Sequence, residues 1–190
     1  MKRFLLIVCL LATTMTLSAC VAWSRVPAKQ TKLSGGLVLH PENEWSAMKY
    51  GAAQTWTVHG PQIEAITVVS GLKDGKSIAQ PVNYKDKMPL FRSAMSASEV
   101  AELMVETLLR MGYGKVDLLG VRPETFAGRP GFRFDLDLVA ANGLSASGLG
   151  AGVIANGKLY LIVYRAPKLH YFDKYKTAVE KLVASAQIPD

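Results

Sequence analysis

The stretch Gly131 to Arg165, GFRFDLDLVAANGLSASGLGAGVIANGKLYLIVYR, decides the fold. Asn142-Gly143 and Asn156-Gly157 divide it into three runs of strand length and strand composition. Asn-Gly is the pair that a two-residue type I′ turn favours, because both central positions need positive φ. Three antiparallel strands are therefore expected. Counting outward from two-residue loops sets Val139 opposite Ala146, Asp137 opposite Gly148, Asp135 opposite Gly150 and Arg133 opposite Gly152. The second turn then places Leu161 beside Gly152, Val163 beside Gly150 and Arg165 beside Gly148. On this register one face carries Arg133, Asp135 and Asp137, a trough of Gly148, Gly150 and Gly152, and finally Leu161, Val163 and Arg165. The opposite face is apolar throughout, from Phe132 and Phe134 across Leu149 and Ala151 to Tyr160 and Tyr164.

On the C-terminal side, Ala166-Pro167 breaks the third strand. Tyr171, Phe172, Tyr175, Ala178, Val179, Leu182, Val183 and Ala186 then recur at helical spacing, which predicts a closing helix that packs on the sheet. On the N-terminal side, a helix is predicted over 96–111. Ser96 and Glu99 have capping-box spacing, Val100, Leu103, Met104, Thr107, Leu108 and Met111 share a face, and Gly112 supplies the stop. Glu106 and Arg110 are spaced to pair on its solvated side. Before it lie an irregular basic segment from Gly71 to Met95, with Lys73, Lys76, Lys85, Lys87 and Arg92, and a hairpin of Gln54–Val58 with Ile63–Ser70 about His59-Gly60-Pro61-Gln62. Leu37-Val38-Leu39 reads as a short strand, and Pro41 to Trp45 as a loop. The fold class is α+β: an antiparallel β-sheet flanked by helices, ending in a three-stranded meander and a C-terminal helix.

The first 34 residues read differently. Lys2 and Arg3 precede an apolar run, Phe4 to Leu17, too short to cross a bilayer, and Leu17-Ser18-Ala19-Cys20 closes it with small residues. These four residues resemble the bacterial lipobox. That resemblance implies cleavage before Cys20, lipid such as palmitate on the new N-terminus, and a membrane held through Cys20. Two or three acyl chains anchor durably where one holds only marginally. Val21 in place of Asp implies sorting to the outer membrane, facing the periplasm, in a Gram-negative cell. Residues 1–19 are then a signal peptide, 20–34 a polar tether with a reach of roughly 20 Å and Trp23 at the lipid interface, and 35–190 a single domain. Loss of the leader lowers the formal net charge from +7 to +5, 20 basic against 15 acidic residues. The charge is spread without a basic block, and together with the location this argues against nucleic acid.

The chemistry-bearing residues are few. Cys9 lies in the leader and Cys20 would be lipidated, which would leave no cysteine for a disulfide, a nucleophile or a thiolate metal site. His40, His59 and His170 lack zinc-motif spacing, His40 with Glu42 and Glu44 is a weak metal constellation, and nucleophile elbows and phosphate loops are missing. No cofactor is implied. The one constellation on a regular element is the glycine trough, because strand glycines on one face mark something approaching the backbone closely. Close packing of the C-terminal helix, or an ion pair from Arg165 across Gly148 to Asp137, fills it on one reading. On the other, Arg133, Asp135, Asp137, Gly148, Gly150 and Arg165 form a ligand slot.

The order of hairpin, long loop, helix, Gly128-Arg129-Pro130-Gly131 turn, meander and closing helix, with FAGRPGFRFDL (126–136) and LYLIVYRAP (159–167), resembles the PsbP extrinsic proteins of photosystem II and the Ran-binding nuclear import factors. The resemblance implies a non-enzymatic accessory or binding module and carries over no functional residue. The anchor, the tether and the missing catalytic groups add the expectation that an envelope protein is its partner, captured by the basic loop or the slot. An envelope enzyme is the alternative, with Asp135 and Asp137 close enough to raise one carboxyl for acid catalysis. A purely structural envelope protein is a third.

Overall fold

The computed structural model describes residues 23–81 and 87–189. Cys20 and Lys85 lie outside the described residues. The chain runs β1 (Ser24–Val26), β2 (Thr31–Lys32), β3 (Val38–Leu39), β4 (Trp45–Tyr50), β5 (Ala53–Thr57), β6 (Ala65–Lys73), α1 (Ala97–Arg110), β7 (Lys115–Phe126), β8 (Arg129–Val139), β9 (Ser145–Ala155), β10 (Lys158–Pro167) and α2 (Tyr171–Ala184). Eight strands form one antiparallel sheet in the order β1-β4-β5-β6-β10-β9-β8-β7, and β2 pairs with β3 apart from it. The α+β architecture anticipated from the sequence is the one observed.

The two Asn-Gly pairs fold differently, and the difference moves a whole strand. At Asn156-Gly157 both residues have positive φ, 51° and 70°, and Lys158 pairs directly with Ala155, so the loop is the expected two-residue turn. At Asn142-Gly143 only Gly143 is left-handed, at 82°. The Ala140 amide donates to the Leu144 carbonyl and the Gly143 amide to the Ala140 carbonyl, both at 2.9 Å, enclosing three residues. Asn142 Oδ1 accepts from the Leu144 amide at 3.1 Å. A three-residue loop ending in a left-handed glycine is the common alternative to the two-residue turn. It shifts β8 against β9 by one residue and so turns every β8 side chain to the other face.

The observed partners are Val139 with Ser145, Asp137 with Ser147, Leu136 with Gly148, Asp135 with Leu149, Phe134 with Gly150, Arg133 with Ala151 and Phe132 with Gly152. The β9–β10 register is as counted, Arg165 beside Gly148 and Val163 beside Gly150. Phe132, Phe134, Leu136 and Leu138 therefore lie on the glycine face with Leu161 and Val163, packed against Val100, Met104 and Leu108 of α1. Leu149, Ala151, Val153, Tyr160, Ile162 and Tyr164 lie on the other face under Val179, Leu182 and Val183 of α2, with Leu33, Leu37 and Leu39 beside them. Both faces of the central strands are buried, which is why β10 reads as an unbroken apolar run.

The trough is filled by Phe134, not by the C-terminal helix. A Cβ built on Gly150 would stand 2.2 Å from Phe134 Cζ, and one on Gly148 3.2 Å from the Tyr164 carbonyl oxygen. An aromatic ring laid across a strand glycine covers backbone that would otherwise lack a packing partner.

α1 has the predicted capping box: the Ser96 hydroxyl accepts from the Glu99 amide at 3.3 Å, and Glu99 Oε2 accepts from the Ser96 amide at 2.7 Å. The Glu106–Arg110 pair also forms, at 2.7 Å. Three segments depart from the sequence reading. β4 occupies what begins as a predicted loop, with Trp45 and Ala47 buried. β7 is an edge strand, which is what lets it contain Pro123 and a bulge between Leu118 and Gly120. Residues 24–34 are not a free tether, since β1 adds to the sheet through Val26 opposite Trp45 and both Val26 and Leu33 are buried.

Gly150→Val is expected to lose about 3 kcal/mol, because Phe134 has no vacant position to move into. A urea midpoint equal to the parent's would show that the ring does not rest on Gly150.

Candidate functional site

The register divides the six candidate slot residues between the two faces. Gly148, Gly150 and Arg165 stay on the α1 side, whereas Arg133, Asp135 and Asp137 turn to the α2 side. The proposed slot is thus not assembled, and neither is the cross-strand pair from Arg165 to Asp137.

Arg133 instead binds α2. The guanidinium, 8% exposed, forms a fork with Glu180: Nη1 donates to Oε2 at 2.6 Å and Nη2 to Oε1. Glu124 and Asp135 stand 3.9 Å away, and Arg122 donates to Asp135 Oδ2 at 2.5 Å. The Glu180 hydrogen bonds hold the Arg133 guanidinium even more firmly protonated than usual. Such a fork fixes orientation as well as charge. Asp137 meets Lys168 at 2.7 Å, and that hydrogen bond keeps its carboxyl below the usual carboxylate range. General-acid catalysis requires the opposite shift, so Asp137 does not match the acid of an enzymatic reading.

Arg165, 4% exposed, sits on the α1 side among neutral oxygens. Nε donates to the Tyr113 hydroxyl at 2.8 Å and Nη1 to Thr67 Oγ1 at 2.9 Å, with the Tyr113 ring 5.8 Å from the guanidinium carbon. Tyr113 follows the end of α1, so the contact ties that helix to the middle of the sheet.

The β5–β6 turn holds a buried polar group that the sequence did not single out. The Glu64 side chain, 1% exposed, accepts from Thr57 Oγ1 at 3.0 Å and from the Val58 and His59 amides, with His59 Nδ1 3.7 Å away. His59 packs against Tyr171 and Tyr175 of α2, ring centroids 5.5 and 5.8 Å apart. Tyr164 donates to the Tyr171 carbonyl at 2.7 Å, and burial raises its hydroxyl pKa well above the ordinary value. The signal that would have found Glu64 is an acid directly before a strand in a Gly-Pro turn with unpaired amides upstream.

Among the described residues no three of His, Cys, Asp and Glu are grouped to hold a metal. Glu42 binds Lys181 at 3.0 Å and Glu44 binds Arg25, which draws them away from His40. With these charges engaged, the exposed edge strand β7 with Leu119 and two groups of side chains at the two ends of the sheet stand out on the remaining surface. At one, two open grooves of about 500 and 300 Å³ meet at Tyr50 and Ser77, with Lys73, Lys76 and Lys87 on their walls. At the other, the β5–β6 turn, the β8–β9 loop and the loop before α2 expose Val58, Ile63, Leu144 and Leu169.

Among solved structures, the chain is similar to cyanobacterial PsbP (CyanoP) from Synechocystis sp. PCC 6803, whose solution structure superimposes with a TM-score of 0.57 at 12% sequence identity, covering 90% of this chain and 95% of that one. This is a PsbP-like fold. No protein-family model matches the sequence, and no curated protein matches it. At that identity the likeness carries the architecture of the PsbP-like domain and no functional residue.

Glu180→Gln leaves the Arg133 guanidinium buried beside a neutral amide. The expected loss is about 1–2 kcal/mol, less than for a fully buried pair because the Glu180 side chain is 34% exposed. Denaturant titration of the variant checks this; an unchanged midpoint would mean that the fork does not hold α2.

Proposed function

We propose that this protein is a lipid-anchored cell-envelope lipoprotein, held at a membrane through Cys20, whose PsbP-like domain works as a non-enzymatic accessory module that captures an envelope protein. In a Gram-negative cell its place is the outer membrane, facing the periplasm. The observation that carries the reading is the row of apolar side chains at the end of the sheet away from the N-terminus. Leu169 is 86% exposed, and the Lys168 amide donates to the Ser145 carbonyl at 3.2 Å, which continues the β9–β10 ladder and sets Leu169 alongside Leu144. Across the sheet, Ile63 and Val58 of the β5–β6 turn extend the same row. The loop turns tightly about His170, whose φ is 71°: the Tyr171 amide donates to the Leu169 carbonyl at 2.9 Å, and the His170 ring meets Tyr171 edge-on at 5.0 Å. Exposed apolar groups suit a partner interface, where a few buried anchors supply most of the affinity. The internal ion pairs support the same reading, because the carboxylates that an enzyme would draw on hold lysines and arginines instead.

Crosslinking in intact cells, followed by mass spectrometry of proteins purified with the detergent-extracted chain, tests the proposal. The parent is expected to retain one recurrent envelope partner, and the Leu144→Asp, Leu169→Asp double variant to lose at least 10-fold of it, roughly the loss of one anchor. Equal recovery with parent and variant would remove this end as the capture surface.

A further inference from the structure

We propose that the opposite end of the sheet, where β1 begins, rests directly on an anionic lipid surface. The proposal builds on the anchor at Cys20. β1 runs antiparallel to β4 with Ser24 opposite Ala47 and Val26 opposite Trp45, so the chain before Ser24 leaves the sheet toward Tyr50 and the β4–β5 turn. Cys20 and Ser24 are four peptide units apart, a span of at most about 14 Å. A 15-residue tether would hold the domain off the membrane; this span holds the sheet edge against it and fixes which end faces the lipid.

That end has the matching chemistry. Lys49 and Tyr50 close β4, Lys73 ends β6, Lys158 opens β10, and Lys76 and Lys87 follow in the next loop. Among the described residues none of these five lysines has a carboxylate within 4 Å, whereas Lys115, Lys168 and Lys181 elsewhere each hold one. Asp74, in the same region, is taken by Arg92 and the Ser93 amide. Lys73 and Lys158 are direct cross-strand partners, a like-charge opposition that is unfavourable unless an anion screens it. Trp23, Tyr50 and Leu90 are each more than a third exposed beside these lysines, and aromatic side chains with a polar edge settle at the headgroup level of a bilayer. Lysines grouped with exposed apolar and aromatic side chains at the end of the sheet where the chain leaves toward its lipid fit phosphate headgroups rather than a folded partner.

The test uses a chain without lipid, so that any binding comes from the surface itself. The described core spans Val26 to Ala186, so residues 20–190 with Cys20→Ser keep the whole fold. Cosedimentation is measured with vesicles of phosphatidylcholine alone and with one quarter phosphatidylglycerol. Binding to the anionic vesicles only, weakening as salt rises, is expected. Lys73→Glu with Lys76→Glu should weaken it at least about 25-fold, taking roughly fivefold for each lysine removed. Lys174→Glu with Lys176→Glu, the same charge change at the far end about 30 Å away along a ten-residue strand, should leave it within twofold. No binding to anionic vesicles, or equal loss in both double variants, would overturn the proposal. Palmitate labelling of cells that carry the parent or Cys20→Ser is read separately: absent label removes the anchor and leaves the vesicle result standing.

Discussion

Everything in this molecule is arranged about two strands with no solvent face. β9 and β10 are covered by α1 on one side and by α2 with the N-terminal strands on the other. β9 accommodates this by giving up side chains on the α1 side, where the ring of Phe134 lies over Gly150. The strand gives up Cβ atoms and the ring restores the packing density that close-packed interiors require. Once Phe134 faces α1, Arg133 and Asp135 must face α2, and a guanidinium buried there needs a carboxylate. Glu180 supplies it. The charged residues that look like a site in the sequence are thus the consequence of a packing solution.

Much of this could be read without coordinates, and the failures have physical causes. The capping box of α1, the face of α2, the β5–β6 hairpin and the β9–β10 turn follow from local chemistry, and local chemistry decides them. The β8–β9 turn has the same Asn-Gly pair as its neighbour, yet Asn142 uses its side-chain oxygen on the Leu144 amide and stays out of the left-handed region. One extra loop residue then reverses a strand, and the assembled slot disappears. The available hint is Phe132 and Phe134 on the strand next to Gly148, Gly150 and Gly152, because an aromatic beside strand glycine can cover it. β7 is hidden by Pro123, which an edge strand tolerates, and by the bulge at Gly120. β1 is polar and short, and only its pairing with β4 places it in the sheet. Cys20, the strongest single signal in the sequence, lies outside the described residues, and Glu64 carries only the weak signal of an acid directly before a strand in a Gly-Pro turn.

Helices cover both faces of the central strands, so the loops at the ends of the sheet are what the scaffold leaves open, as is common where a rigid scaffold presents loops. The two ends differ in character. One gathers lysines that hold no carboxylate among the described residues, with Trp23 and the departing N-terminus; the other displays Leu144, Leu169, Ile63 and Val58. A short N-terminal connection on an edge strand gives this polarity a direction, which is the basis for proposing lipid at one end and a partner at the other. The PsbP-like architecture explains how the ends are held apart, and the side chains at each end are this chain's own.

The pairing of β8 with β9 fixes which residues face which helix, and nuclear Overhauser contacts between the two strands read it out. The Phe134 ring protons are expected to contact the Gly150 α-protons, with Arg133 paired across the ladder with Ala151. Contacts that pair Asp135 with Gly150 and Arg133 with Gly152 would contradict it, returning the carboxylates to the glycine face and restoring the slot.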